Sequence, residues 1–363
     1  MSKVKNLAKL INRQYSPGKL LYHPGWIVLG VNNICNLHCK MCDVGTKNLK
    51  SNFASNLVGT HPINMPVELI KKIFDQTSHY FPDSKIGYGF TEPLVYPHLI
   101  ESLEYARKKE LHTSVTTNAL TLPHKAKALV DAGLNELFIS LDGPEDVHNY
   151  IRGHKSSFQR AVKGIESVLD QGLGPEIGVF CVITEWNIGR LKEFVDFFSQ
   201  FPLKHLGFMH TNFTPQSVAD AHNLTFGDTY PATDSNINEI NIEAMDMDVL
   251  WEEVVAIKNN EYCFPVTFSP NIDSKSDLLD FYYKPEKLMG KRCHDAFNNI
   301  MIKSDGSVIP AHGRCYNLTI GNLYNDNLKS IWNSSVISQF RKTLNEVGGL
   351  LPACSRCCSG FGK

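Results

Sequence analysis

Apolar and polar positions alternate with two different periods along residues 25–211. Five segments carry the helical period, namely residues 67–78, 98–109, 125–132, 157–170 and 188–200. Six short apolar, β-branched runs typical of buried strands flank them, at 26–31, 86–90, 113–116, 136–141, 176–184 and 205–210. Strands separated by single helices predict parallel pairing through right-handed crossovers. The pattern therefore predicts an α/β fold, as either an open doubly wound sheet or a partial TIM-like (β/α) barrel, with functional residues in the loops after the strands.

The periodic pattern fades after residue 211 and returns in shorter pieces. It predicts a helix at 249–259, an apolar, proline-bearing patch at 262–270, strands at 299–302 and 307–309, and a last helix at 331–344. Residues 1–15 have the spacing of a short amphipathic helix, which we expect to pack on its own protein rather than on a membrane. We divide the chain into a helical extension (1–24), the partial barrel (25–211), a bridging or lid region (212–285) and a small C-terminal α+β domain (286–363).

The composition excludes several classes of protein. The chain has 363 residues, of which 36 are basic and 37 acidic, so its formal net charge is -1. Without a basic excess, we expect no nucleic-acid partner. No run approaches the roughly 18 consecutive apolar residues of a membrane span, and the first residues lack a secretory signal. The sequence therefore predicts a cytoplasmic protein without a membrane partner.

Cysteines carry the strongest chemical signal, because the chain has ten of them and most gather near its two ends. The loop after the first predicted strand contains Cys35, Cys39 and Cys42 in the spacing CxxxCxxC. Three thiolates on one tight loop can hold three corners of a 4Fe-4S cluster and leave the fourth iron open. A structural zinc site would require a fourth protein ligand from elsewhere in the chain. The loop therefore predicts a cluster with one reactive iron.

With these three cysteines after a first strand, the sequence resembles the radical S-adenosylmethionine (SAM) superfamily. That family has a partial (β/α)6 barrel in which the amino and carboxylate groups of SAM chelate the open iron. One-electron reduction cleaves SAM to a 5′-deoxyadenosyl radical, which abstracts a hydrogen atom from the substrate. The resemblance implies a flavodoxin- or ferredoxin-type reductant as a partner.

Further strand-end motifs resemble the same family. Residues 89–93 are similar to its Gly-x-Gly-Glu-Pro segment, and Thr116-Thr117-Asn118-Ala119 is similar to its Thr-Asn-Gly. The run from Ser140 to Arg152 resembles its Ser-x-Asp-Gly…His-x-x-x-Arg pattern. The resemblance implies cofactor contacts from Gly89, Thr91, Glu92, Asn118, Ser140, Asp142 and Arg152.

Physical chemistry suggests a role for each of these groups. Glu92 and the glycine-bearing turn would accept from the ammonium of SAM, while Ser140 and the Arg152 fork suit its carboxylate. Asp142 or Asn118 would meet a ribose hydroxyl or the substrate. The sequence departs from the family at Thr91, which replaces a glycine, and at Met41, where an aromatic residue usually packs on the adenine.

The C-terminal cysteines are similar to the twitch domain, a truncated form of the SPASM domain that holds one auxiliary 4Fe-4S cluster. The resemblance implies Cys293, Cys315, Cys354 and Cys357 as its ligands, with Cys358 as the competing fourth ligand. Ala311 occupies the place where the family pattern expects the second cysteine. A structural zinc ion is the alternative occupant.

Two reactions fit a small-molecule substrate. In an oxidation, the substrate radical loses a proton and an electron, and the auxiliary cluster takes the electron. In an epimerisation, a thiol of Cys181, Cys263 or Cys358 donates a hydrogen atom from the opposite face. Peptide crosslinking or maturation ranks below both, because we expect no N-terminal module of about 80 residues for capturing a leader peptide. A zinc or iron–sulfur electron-transfer scaffold is the non-enzymatic alternative.

Charge suggests a small polar, cationic substrate resembling an amino sugar. The stretch between Lys204 and Lys258 has no basic residue. It contains nine acids, which are Asp220, Asp228, Asp234, Glu239, Glu243, Asp246, Asp248, Glu252 and Glu253. Acids at the barrel mouth would concentrate a cation. A solvated acidic face with helix caps is the alternative interpretation.

Overall fold

One ten-stranded sheet organises the computed structural model, which describes residues 2–361. Seven of its parallel strands follow one another in chain order: β1 (Trp26–Leu29), β2 (Lys85–Tyr88), β3 (Thr113–Thr117), β4 (Glu136–Ser140), β5 (Glu176–Ile183), β6 (His205–His210) and β7 (Val266–Ser269). Three C-terminal strands extend the other edge: β8 (Asn299–Ile302), β9 (Ser307–Pro310) and β10 (Gly321–Asn322). Because chain order equals sheet order from β1 to β7, the structure is a partial TIM-like barrel and the doubly wound alternative is wrong.

The six strands predicted in residues 25–211 are confirmed, with bounds within two residues of those expected. The apolar patch at 262–270 contains a seventh parallel strand, β7, which pairs with β6 in register Leu206 to Val266. The bridging region therefore contributes to the sheet itself. The domain boundaries at 24, 211 and 285 remain predictions, and Met1 and residues 362–363 lie outside the described part of the chain.

Thirteen α-helices surround the sheet among the described residues. Nine of them lie where helices were predicted: α1 (Ser2–Tyr15), α3 (Val67–Tyr80), α4 (Leu99–Lys108), α5 (Ala126–Asp131), α7 (Ser157–Leu169), α8 (Leu191–Phe198), α10 (Met247–Lys258), and α12 (Leu328–Trp332) with α13 (Ser335–Glu346) in place of the single helix at 331–344. Four were missed: α2 (Asn52–Leu57), α6 (Glu145–Arg152), α9 (Gln216–Phe226) and α11 (Lys275–Tyr283). Helix α2 is short, and α9 and α11 have a weak apolar period, whereas α6 is amphipathic but only eight residues long.

Residue alternation along the strands sorts side chains between the core and the barrel interior. On β5, Val179, Cys181 and Ile183 are fully buried in the core under the helices. Their neighbour Phe180 faces the opposite way and lines the interior cavity. Because successive side chains of a strand point to opposite faces, the Cys181 side chain faces the helices.

The N-terminal helix packs on the protein less fully than expected. Asn12 is buried, and its amide donates to the carbonyl of Lys19 at 2.9 Å, which anchors the C-terminal end of α1. Its apolar stripe remains in solvent, with Leu7, Leu10 and Ile11 between 50% and 58% exposed. The prediction that this stripe packs on its own protein is therefore wrong for these three residues.

The C-terminal segment joins the barrel through the sheet edge. Strand β8 pairs in parallel with β1, from Trp26 with Asn299 to Leu29 with Ile302. The Leu328 amide at the start of α12 donates to the side chain of Gln76 in α3 at 2.7 Å. These contacts place the C-terminal cysteines beside the mouth of the barrel. Within residues 2–361, no helix is both long enough and apolar enough to cross a bilayer.

Candidate active site

The cysteine loop after β1 forms one wall of a cavity at the carboxyl ends of the strands. Cys35, Cys39 and Cys42 all line this cavity, which we call the barrel cavity and whose empty volume is about 1350 Å³. The loop is closed by the Cys42 amide, which donates to the Cys39 carbonyl at 3.2 Å, and it is tied to α6 through the Lys40 amide. Gly45 is required beside it, because an added Cβ would lie 2.3 Å from the Cys39 carbonyl oxygen. The three thiols predicted to bind one cluster therefore share one enclosed site.

Arg152 and Asp142 support the cysteine loop from behind. The Arg152 Nε atom donates to Asp142 Oδ2 at 2.5 Å, and its Nη1 atom lies 3.5 Å from Cys39 Sγ. Burial raises the pKa of Cys39 to about 12, and Arg152 acts in the opposite direction. A bound iron would supply the positive charge that stabilises this thiolate. The site therefore suits a metal cluster ligated by sulfur.

Asp142 has a different position from the one expected. Its carboxylate is fully buried, accepts from the Val182 amide at 3.0 Å and pairs with Arg152, and it is not among the residues that line the barrel cavity. In this structure Asp142 positions Arg152, and its contact with the cofactor stays a prediction. Arg152 and Ser140 do line the cavity. Helix α6, which sequence reasoning missed, carries Arg152 to this position.

Glu92 ties the ends of β2 and β3 together. Its Oε1 atom accepts from the Leu94 amide at 2.9 Å and from the Thr117 hydroxyl at 2.7 Å, and its Oε2 atom accepts from the Asn118 amide at 2.8 Å. The side chain lines the barrel cavity, and burial raises the pKa of its carboxyl despite these three donors. Glu92 therefore holds two cavity loops in register in addition to its predicted contact with the ammonium of SAM.

Asn118 connects the end of β3 to the cysteine loop. Its Nδ2 atom donates to Asn36 Oδ1 at 2.8 Å and lies 3.9 Å from Cys35 Sγ, while its Oδ1 atom accepts from the Leu120 amide. The side chain lines the barrel cavity. Asn118 therefore reaches the predicted cluster ligands as well as the predicted cofactor space.

The turn after β2 has its left-handed residue at Phe90, one position before Thr91, which replaces a glycine of the family pattern. The Thr91 hydroxyl donates to the Asn32 carbonyl at 2.9 Å, so it fixes the loop. The left-handed backbone conformation that favours glycine occurs at Phe90, whose φ is 76°. At Gly89, an added Cβ would meet only the Thr116 Cβ at 3.9 Å, so its absence enlarges the barrel cavity.

The C-terminal cysteines line a second cavity with an empty volume of about 800 Å³. The structure brings together the four predicted ligands Cys293, Cys315, Cys354 and Cys357 around it, which we call the auxiliary cavity. Phe53 and Arg314 line both cavities, with the Arg314 guanidinium 4.4 Å from the centre of the Phe53 ring. The two cysteine sites are thus neighbours with a shared wall.

His312 is a polar residue of this region that sequence reasoning missed. It is buried. One of its ring nitrogens and the sulfurs of Cys357 and Cys358 all lie within 4.8 Å of one another. A signal was present in the sequence, because His312 follows Ala311, the residue at the expected cysteine position. The choice between Cys357 and Cys358 as the fourth ligand stays open.

Two family models match the chain. The Radical SAM superfamily model matches residues 30–198, and a model of an iron-sulfur cluster-binding domain, SPASM, matches residues 293–358. The chain belongs to the radical SAM superfamily. It is a radical SAM enzyme that uses SAM, a 4Fe-4S cluster and an auxiliary 4Fe-4S cluster in a SPASM-type domain. The alternatives of a non-enzymatic scaffold and a structural zinc are therefore not supported.

Curated relatives of this radical SAM enzyme match about half of its length. Fe-coproporphyrin III synthase of Methanosarcina barkeri is 25% identical over 185 residues, which is 51% of this chain and 43% of that protein. A probable GTP 3′,8-cyclase of Methanococcus maripaludis is 27% identical over 191 residues, or 49% of this chain and 61% of that protein. The alignments thus span about half the length of these relatives.

Solved structures share its overall fold. Streptococcus suis SuiB is 16% identical with a TM-score of 0.61, covering 99% of this chain and 77% of that chain. A structure of anSMEcpe with bound AdoMet is 17% identical with a TM-score of 0.62, covering 88% of this chain and 83% of that chain. At these identities the likeness establishes the fold.

None of the three predicted thiol donors of this radical SAM enzyme lines the barrel cavity in the described structure. Cys181 is a core residue of β5, and burial raises its pKa well above the usual value. Cys263 is exposed, and it precedes β7 at the amino end of the sheet, where its thiol donates to the Ser199 carbonyl. Cys358 lies beside His312. The structure does not support these three residues as donors to a substrate in the barrel.

The nine acids of residues 204–258 are also absent from the lining of both cavities in the part of the chain that the structure describes. Asp246 caps α10 by accepting from the Asp248 and Val249 amides, and Glu253 accepts from three amides at the start of α8. Glu239 forms an exposed ion pair with Lys40. The alternative interpretation of helix caps on a solvated face agrees with these contacts.

Proposed function

We propose that this radical SAM enzyme oxidises a peptide substrate at a carbon atom held in the barrel cavity. One observation carries the proposal: the cavity lined by Cys35, Cys39 and Cys42 shares Phe53 and Arg314 with the cavity lined by the C-terminal cysteines. When bound, SAM and the two clusters supply a hydrogen-abstracting 5′-deoxyadenosyl radical and an adjacent electron acceptor. A shared wall keeps the distance between the substrate and that acceptor short.

The residues of the barrel cavity have complementary tasks in this proposal. Cys35, Cys39 and Cys42 would hold the cluster, and Arg152 donates toward the Cys39 sulfur. Glu92 fixes the loops through its three accepted hydrogen bonds. Gly89 leaves space beside Thr116 for the cofactor. The lining of the cavity is largely apolar, so it excludes water from the radical. Its apolar side chains are those of Trp26, Val28, Phe53, Phe90, Phe138, Phe180 and Met209.

Oxidation is favoured over epimerisation by the positions of the thiols. Quenching of a substrate radical by a thiol needs a sulfhydryl in reach of the radical carbon. Cys181, Cys263 and Cys358 do not line the barrel cavity in the described residues. A substrate radical in this cavity is therefore expected to lose an electron and a proton rather than to gain a hydrogen atom.

A peptide is favoured over the cationic small molecule that the acids suggested, because those acids line neither cavity among the described residues. Solved structures with this fold include SuiB bound to the precursor peptide SuiA and anSMEcpe bound to the peptides Cp18Cys and Kp18Cys. A small molecule is the second candidate, because the curated relatives are named as a coproporphyrin synthase and GTP cyclases.

The cofactor part of the proposal is tested by anaerobic reconstitution. We expect about eight irons per chain for two cubane clusters, and 5′-deoxyadenosine from SAM and dithionite. The triple variant Cys35→Ala, Cys39→Ala, Cys42→Ala should keep about four irons and form no 5′-deoxyadenosine. Cys263→Ala is the matched control, since its exposed thiol lies away from both cavities. Persistent cleavage of SAM in the triple variant would contradict the site.

The substrate class is tested by deuterium transfer. Cells grown in deuterated medium give a peptide fraction and a metabolite fraction, and each is incubated with the reconstituted enzyme and unlabelled SAM. Deuterium in 5′-deoxyadenosine from the peptide fraction alone supports the proposal. Transfer from the metabolite fraction alone supports the second candidate and refutes the first. The triple alanine variant measures the background of both incubations.

A further inference from the structure

The imidazole of His312 has a fixed orientation beside the auxiliary cavity. It follows the end of β9, and the backbone amide of Arg314 donates to its Nδ1 atom at 3.1 Å. Because Nδ1 accepts a hydrogen bond, the ring hydrogen of the neutral side chain lies on Nε2. A protonated ring also carries hydrogen on Nε2. The histidine therefore presents a donor from this atom.

The Nε2 atom of His312 faces three kinds of polar group, and one of them is the Ser359 hydroxyl at 3.4 Å. Asp295 Oδ2 lies 3.2 Å away, and the Cys357 sulfur lies 4.0 Å away, with Cys358 in the same cluster. Ligation of iron through Nε2 would require the loss of its hydrogen and of the contact with Asp295. Hydrogen-bond donation to a ligand sulfur keeps the hydrogen on Nε2, where a three-centre contact shares it between Asp295 and the Cys357 sulfur, so the geometry favours a donor over a ligand.

Phe90 packs on the same imidazole from the barrel side. The two rings stack with centroids 5.8 Å apart and an interplanar angle of 24°. Phe90 adopts a positive φ of 76°, a conformation that bulky residues rarely take unless their surroundings impose it. Phe90 lines the barrel cavity and His312 lines the auxiliary cavity. The stack thus restricts the tilt of the histidine ring between the two sites.

We propose that His312, oriented by Asp295 and Phe90, donates a hydrogen bond from Nε2 to a sulfur of the Cys357–Cys358 pair and so raises the reduction potential of the auxiliary cluster. Hydrogen bonds to cluster sulfurs and nearby net charge are main determinants of such potentials. His312 is a positioning and tuning residue in this proposal. The inference requires the auxiliary cluster but holds for either substrate class.

The experiment is a redox titration of the full-length reconstituted enzyme, followed by electron paramagnetic resonance, with iron and sulfide counted for each variant. His312→Phe removes the donor and leaves Asp295 unpaired, so it should lower the fraction of reduced auxiliary cluster about tenfold at fixed potential, equivalent to 59 mV for one electron. His312→Gln keeps an amide donor and should restore most of the potential. Asp295→Asn removes a negative charge and should shift the potential upward.

His222→Phe is the matched control. His222 is also buried, stacks on Tyr316 beside the auxiliary cavity and directs its Nε2 atom to the Tyr230 carbonyl at 2.7 Å instead of to a sulfur. The reduction potential of the auxiliary cluster in His222→Phe should equal that in the unmodified enzyme.

Equal potentials in the His312 variants and the unmodified enzyme would overturn the proposal. Loss of the auxiliary irons in His312→Gln would also overturn it, because it would identify His312 as an iron ligand. If His312→Phe fails to fold, His312→Ala takes its place, since an unchanged potential in that variant contradicts the proposal.

Discussion

Arg152 and Asp142 form a buried ion pair with 2.5 Å between Nε and Oδ2, directly behind the Cys39 thiol. The guanidinium uses one edge for the carboxylate and the other for the sulfur. Neither charge has access to bulk water, because Asp142 is fully buried and Arg152 nearly so. The pair therefore links the fourth strand, α6 and the cysteine loop into one unit.

Replacing Arg152 should damage stability and the nearby cluster together. Arg152→Met leaves the Asp142 carboxylate buried without its partner, so we expect a loss of about 3–5 kcal/mol in the free energy of unfolding. The double variant Arg152→Met, Asp142→Leu should recover much of that loss, since no unpaired charge remains. Chemical denaturation measures both effects. Arg190→Met, which breaks only exposed pairs with Asp146 and Glu193, should cost about 1 kcal/mol or less.

Glu92 should make stability depend on pH in the acid range. Burial raises the pKa of its folded-state carboxyl, so between the unfolded and folded pKa values the folded state binds more protons. Its contribution to stability is therefore greatest at low pH and decreases as pH rises through this window. In Glu92→Gln that component should disappear, which the difference between the two unfolding curves at several pH values would show. Identical pH dependence in both proteins would contradict the environment described for Glu92.

Alanine at Gly89 and alanine at Gly45 should have different effects, because Gly89 borders the barrel cavity and Gly45 packs against the cysteine loop. Gly89→Ala adds a methyl group into the barrel cavity with its nearest contact at 3.9 Å, so the protein should fold, keep its iron and bind SAM more weakly. Gly45→Ala places a Cβ 2.3 Å from the Cys39 carbonyl, so the cysteine loop should shift and lose about four irons. Calorimetric titration with SAM and iron analysis distinguish the two outcomes. Unweakened SAM binding in Gly89→Ala would place the cofactor elsewhere.

Replacing Cys181 should have a structural effect only. Cys181→Ala removes a buried sulfur from the core, which we expect to cost about 1–2 kcal/mol and to leave 5′-deoxyadenosine formation intact. Turnover in deuterated water should give an oxidised product without deuterium at the reacting carbon. Deuterium at that carbon, lost again in Cys181→Ala, would restore epimerisation.

Much of the fold was predictable because strands and their order depend on local patterns. Buried strands such as the one from His205 to His210 have the bounds that their apolar runs indicate. Side-chain orientation was less accessible, and Cys181 shows why: one step along β5 moves a residue from the cavity to the core. Long-range pairing was not visible either, since the contact between Arg152 and Asp142 depends on a helix of eight residues, which is too short to show a clear period in the sequence.

The candidate site was predicted by motif and refined by contacts. The three cysteines of the β1 loop line one cavity, as their spacing indicated, and the four C-terminal cysteines line another, as the family resemblance implied. The hydrogen bonds of Glu92 and Thr91 could not be anticipated, because polar side chains at a turn can accept from several backbone groups at similar cost. His312 escaped because its partners Asp295 and Cys357 are distant in sequence.

The central claim is that SAM occupies the open iron of the cluster held by Cys35, Cys39 and Cys42. It is tested most directly by electron nuclear double resonance of the reduced enzyme with SAM labelled with ¹⁵N in its amino group and ¹³C in its carboxylate. We expect strong couplings from both labels, absent in the triple alanine variant. A fully formed cluster that shows no coupling to either label would contradict the claim.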